Sequence, residues 1–91
     1  MAVVPNPSDG PVTFILHGDK AFNATVRIWN VSGELVRELR LVSPAGEGSV
    51  TWYLDAPSGG RASAGLYMVV AFVQEEGSDK MEIRRSKLAL R

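Results

Sequence analysis

The sequence predicts an all-β protein, an immunoglobulin-like antiparallel β-sandwich of about seven strands. Apolar and polar residues alternate with a period of two in several short segments, and helical periodicity is scarce. Loops rich in Pro, Gly, Ser, Asn and Asp separate those segments at the spacing of a small sandwich. At 91 residues the chain can bury one hydrophobic core and is too short for two, so residues 1–91 are expected to form a single domain.

Taken in order, Pro5 and Pro7 hold the entering chain extended and remove two backbone donors, which suits an edge strand. Val12, Phe14 and Leu16 then share one parity and face inward, with Thr13, Ile15 and His17 on the other face. Val26 and Ile28 do the same between Thr25, Arg27 and Trp29. Glu34 to Val42 fits a helix face as well as an irregular strand, through Leu35, Val36, Leu39 and Val42. The preceding Asn30-Val31-Ser32-Gly33 decides for a hairpin return, because Gly accepts the positive φ of such turns. Val50, Trp52 and Leu54 alternate with Ser49, Thr51 and Tyr53.

Leu66 to Val73 is apolar on both faces, as in a central strand covered by the facing sheet on one side and by something else on the other. In the last segment, Met81 and Ile83 have one parity and Leu88 and Leu90 the other. Burying both pairs requires a β-bulge within Arg84 to Ser86. Loops are expected at Asn6 to Pro11, Gly18 to Asn23, Ser43 to Gly48, Pro57 to Ala64 and Glu75 to Asp79. The expected core holds Val12, Phe14, Leu16, Val26, Ile28, Val50, Trp52, Tyr67 and Val69.

Hydrophobic residues make up 45% and charged residues 22%, the balance of an ordinary globular domain rather than a disordered chain. Ten basic and ten acidic residues cancel and are interleaved, so no global field draws nucleic acid or an anionic membrane. The longest apolar stretch, Leu66 to Val73, is far short of the roughly 20 residues that cross a bilayer as a helix, and no membrane insertion is expected. Arg84, Arg85, Lys87 and Arg91 are the one local basic run, read as solvated edge-strand charge or a small basic stripe. Met1 to Pro5 lacks a basic region followed by an apolar core, so no signal peptide is expected there.

Reactive chemistry finds little support. Cysteine is absent, which removes disulfides, thiolate ligands and thiol nucleophiles. His17 is the single histidine, without the companions a triad or a zinc site needs. Asp9, Asp19, Asp55 and Asp79 fall in loops without calcium-loop spacing. Gly46-Glu47-Gly48 and Ser58-Gly59-Gly60-Arg61 do not join a strand to a helix, the context of a phosphate cradle. Glu75 and Glu76 sit in a solvated loop that keeps both ionised. No catalytic, cofactor-binding or metal-ligating residue is therefore assigned.

Spaced landmarks carry a resemblance: Pro5-Asn6-Pro7, Gly10, Val12 and Phe14; then Val26, Ile28, Trp29, Asn30, Gly33, Val36 and Leu39; then Trp52, Gly59, Gly65 and Tyr67; and last Lys87-Leu88-Ala89-Leu90-Arg91. In this order, and with these intervals from Trp52 to Gly59 and to Tyr67, the chain resembles the immunoglobulin-like domain of flagellar hook-capping proteins of the FlgD type and the related C-terminal sorting domains of bacterial type IX secretion. The likeness covers nearly the whole chain. Tyr53-Leu54 stands where Asp-Gly commonly follows the Trp, and Ala56 stands where an Asp is common. Most landmarks are expected to be structural: Trp52 fills the core, Gly65 permits a bend, and the Tyr67 hydroxyl bonds a loop carbonyl as a tyrosine corner does.

The resemblance implies that residues 1–91 are a non-catalytic, immunoglobulin-like C-terminal module of a larger bacterial extracytoplasmic protein, secreted or held at the cell surface. It would serve secretion sorting, anchoring or protein–protein interaction, with secretion or envelope machinery or the parent protein's other domains as partners. The alternatives are a self-associating assembly module of hook-cap type and a carbohydrate-binding accessory domain. The latter would use Trp29 and Tyr53 as its aromatic pair. Trp29 points away from the core beside Arg27, and an outward tryptophan is a candidate hot spot. Trp29, Arg27, Tyr53, Lys87 and Arg91 are the candidate interaction residues.

Overall fold

Period-two alternation becomes strand throughout a computed structural model that describes residues 1–91. Seven strands follow in chain order: β1 (Ala2–Val4), β2 (Val12–His17), β3 (Phe22–Asn30), β4 (Leu35–Ser43), β5 (Glu47–Trp52), β6 (Gly65–Glu75) and β7 (Met81–Leu90). They form a three-stranded sheet in the order β1-β2-β5 and a four-stranded sheet in the order β4-β3-β6-β7, every pairing antiparallel. No helix is present.

The core lies between the sheets. Val12, Phe14, Leu16, Val26, Ile28, Trp52 and Val69 are wholly buried there and Tyr67 nearly so, as alternation requires of the inward parity. Val50, expected among them, is half-buried and packs against the cluster from its margin. Leu54, Leu88 and Leu90 join the same core, as do Val3, Phe22, Ala24, Leu39, Ala62, Ala71 and Val73. The tyrosine corner is present: the Tyr67 hydroxyl donates to the Ser63 carbonyl at 2.6 Å, and its ring meets Trp52 edge-on with centroids 5.7 Å apart. Burial raises the Tyr67 pKa above its ordinary value of 10.0, because the phenolate would lose its water. Trp52 donates Nε1–H to the Asp55 carbonyl at 3.1 Å, so its one polar atom is satisfied. Gly65, at the start of β6, has φ 145°, the bend expected there.

Asn30 and Gly33 make the β3–β4 turn. Asn30 Oδ1 accepts from the backbone N–H of Ser32 and Glu34, both at 3.0 Å, and Gly33 takes φ 83°. The segment from Leu35 is a strand, with its irregularity in one place: the register shifts between Ile28 and Trp29, which pair with Arg37 and Leu35, and Val36 is the extra residue.

Two expectations fail. β6 and β7 pair without a break from Gly65↔Leu90 to Gln74↔Met81, so there is no bulge within Arg84 to Ser86. Leu88 and Leu90 are buried, whereas Met81 and Ile83 are exposed by 53% and 46%. β7 keeps its odd residues, Met81 and Ile83 among them, on the outer face to its far end, because the ladder never shifts. Its inward parity there carries Glu82 and Arg84, which need no apolar cover. The second failure concerns β6, whose outer parity is left open at its start: Leu66 is 59% and Met68 39% exposed, while Val70 and Phe72 further along are half-buried.

The Pro5-Asn6-Pro7 landmark leaves β1 and crosses to the other sheet. The Asn6 amide donates to the Lys87 carbonyl at 2.7 Å and accepts from the Ala89 N–H at 3.1 Å. Ser8 then pairs with the same edge, its N–H donating to Ala89 O and its carbonyl accepting from Arg91 N–H, both at 2.9 Å. The N-terminal segment thereby closes the last part of the β7 edge.

Candidate protein-interaction surface

The outer face of the four-stranded sheet collects residues that the local alternation turns away from the core. Register aligns them in rows across β4, β3, β6 and β7: Val42, Asn23, Gln74, Met81; then Arg40, Thr25, Phe72, Ile83; then Glu38, Arg27, Val70, Arg85; then Leu35, Trp29, Met68, Lys87. Apolar side chains run down β6, and the cations Arg85 and Lys87 border them on the β7 side. Next to Lys87 lies a depression of about 340 Å³, lined by Asn30, Val31, Leu66, Tyr67, Met68 and Lys87.

Each candidate residue has a definite place. Trp29 is on this outer face as its parity requires, half-buried between Leu35 and Met68. Arg27 is not a free cation: its Nε is 3.2 Å from Glu38 Oε2, its guanidinium lies 5.2 Å from the Phe72 ring centroid, and Glu38 also meets Arg40 at 3.5 Å. Lys87 is exposed, opposite Met68. Arg91 lies beyond β7, 3.8 Å from Asp9. Tyr53 is 74% exposed but follows β5 in the other sheet, so it forms no aromatic line with Trp29.

The basic run of the C-terminal strand is divided in the same way. Arg84 turns to the opposite face from Arg85 and Lys87, donating to the His17 carbonyl at 2.7 Å and to Glu82 at 3.0 Å. The Arg84 guanidinium holds the exposed Glu82 carboxyl below the usual range, through the hydrogen bond first and its charge second. Arg85 and Lys87 alone remain as neighbouring cations on the outer face. Sequence reasoning missed Asn6 and the exposure of Leu66, Met68 and Ile83. Asn6 stood inside a quoted landmark, but its partners lie more than 80 positions away.

No family model and no curated protein matches the chain. Among solved structures it is similar to dimeric latent PorU from Porphyromonas gingivalis, at a TM-score of 0.76 and 20% identity, over 99% of this chain and 9% of that one. It is also similar to FlgD from Xanthomonas campestris, whose structure bears on the hook capping essential for flagellar assembly, at a TM-score of 0.67 and 26% identity. That match covers 98% of this chain and 62% of the FlgD chain. The chain thus spans a small part of one relative and under two thirds of the other. The likeness to PorU shows a shared fold, and the likeness to FlgD agrees with the FlgD-like group to which the landmarks pointed.

Proposed function

We propose that this chain is a non-catalytic, protein-binding module of a bacterial extracytoplasmic protein, read by secretion or envelope machinery through the outer face of its four-stranded sheet. The observation that carries this reading is the uncovered row of Leu66 and Met68 beside Lys87 and Arg85, on a domain whose core needs none of them. An apolar strip with a cationic border is the composition of a protein-docking patch rather than of a reaction centre. The likeness to a portion of PorU supports sorting or anchoring as the role, and the likeness to FlgD keeps self-assembly of hook-cap type as the second reading. Carbohydrate binding has less support, because Trp29 and Tyr53 belong to different sheets.

The test is export of a periplasmic reporter fused to the module, in a host with type IX machinery. Deleting Lys87 to Arg91 is a poor probe, since it removes Leu88 and Leu90 from the core. The variant Arg85→Glu/Lys87→Glu reverses both outer-face cations and leaves the core intact. The intact module is expected to carry the reporter outside and the folded variant to leave it in the periplasm. A reporter retained with the intact module, or exported equally by the charge-reversed one, overturns the reading.

A further inference from the structure

The edge of β7 is only half closed. Asn6 and Ser8 occupy it at Lys87, Ala89 and Arg91, which shows that the odd-numbered residues of this strand turn their backbone groups away from β6. Because the ladder runs on without a shift to Met81, the N–H and C=O of Met81, Ile83 and Arg85 also point outward. They find no partner in the chain. Two of the other edges are blunted: β1 has three residues and runs into Pro5, and β4 is bent by its bulge at Val36.

We propose that this open edge pairs antiparallel with the same edge of a second copy of the chain, on a two-fold axis through Ile83, joining two four-stranded sheets into one. Charge selects the register. Hydrogen-bonded pairs must join odd residues to odd residues, so the axis can pass through Glu82, Ile83 or Arg84. An axis at Glu82 sets two glutamates opposite each other, and one at Arg84 sets two arginines opposite each other, both destabilising. An axis at Ile83 sets Glu82 opposite Arg84 of the second copy, twice by symmetry. With the existing Glu82–Arg84 contact of 3.0 Å within each copy, the four charges then alternate. On the outer face the same register brings Ile83 against Ile83 and Met81 against the Arg85 stem, covering two of the exposed apolar side chains. The contact is short and the dimer accordingly weak and concentration-dependent. It does not rest on the sorting role, since the outer face stays open when the edges join.

Sedimentation equilibrium over a concentration series is expected to show reversible monomer–dimer exchange. The chain has no cysteine, so single cysteines report the register cleanly. Ile83→Cys should cross-link on mild oxidation, its Cα atoms being about 5.5 Å apart in a hydrogen-bonded pair, and should do so more readily than Glu82→Cys or Arg84→Cys. Glu82→Arg and Arg84→Glu should each weaken association about tenfold, as two symmetric pairs turn repulsive, and the double exchange should restore it. Ile83→Pro removes an outward donor while sparing the ladder to β6, and should give a folded monomer. A wild-type chain that stays monomeric at every concentration overturns the proposal. So does preferential cross-linking at position 82 or 84, or a folded Ile83→Pro chain that dimerises like the wild type.

Discussion

Tyr67 and Leu54 show how single side chains set the stability of this small domain. The Tyr67 hydroxyl is the partner of the Ser63 carbonyl, and its removal leaves that acceptor short of a hydrogen bond. Tyr67→Phe should cost about 1–2 kcal/mol at neutral pH, measured by urea unfolding. The folded-state pKa lies above the ordinary 10.0, so the contribution is complete below about pH 10 and is lost as pH rises through the folded value. The wild type should therefore lose more stability than Tyr67→Phe on going to strong alkali. Leu54 is buried although its φ is 65°, in the left-handed region that favours glycine. Leu54→Ala should cost about 2–4 kcal/mol through lost packing. Glycine usually costs about 1 kcal/mol more than alanine, but here it removes the strain of a left-handed residue. Leu54→Gly should therefore be no less stable than Leu54→Ala, and a clear deficit in its unfolding midpoint would refute the strain argument.

At the scale of an element, β7 carries two apolar pairs of opposite parity and buries one. Leu88 and Leu90 lie under the facing sheet; Met81 and Ile83 turn to the outer face, while the inner face at that end carries Glu82 and Arg84, the latter bonded to the His17 carbonyl of β2. Leu88→Ala should thus destabilise by about 2–5 kcal/mol. Ile83→Thr keeps a β-branched residue on an exposed position and should change stability by no more than about 0.5 kcal/mol. Thermal unfolding of the two variants separates these outcomes. The bulge inferred for β7 occurs instead in β4 at Val36, where the mixture of helix-like and strand-like spacing in Leu35, Val36, Leu39 and Val42 had already marked an irregular strand. Parity conflicts in a sequence signal either a bulge or an exposed apolar pair, and the register of the ladder to the neighbouring strand shows which.

For the molecule as a whole, strands, turns and the central core were legible in the sequence because period-two alternation and turn chemistry act over a few residues. Val12, Phe14, Leu16, Val26, Ile28, Trp52 and Tyr67 could be placed inside, Gly33 at positive φ, Gly65 at a bend, and Trp29 on the outer parity, from local pattern alone. Its order of landmarks also pointed to the FlgD-like group, with which the likeness to FlgD agrees. Tertiary structure alone decided that the outer face of β6 is left open at its start, that the basic run is split between two faces by Arg84, and that Asn6 and Ser8 seal the end of β7 while Met81, Ile83 and Arg85 leave the rest of its edge open. Each of those outcomes depends on which strands lie opposite or beside one another. That is fixed by contacts between residues far apart in the chain, which a local period does not encode.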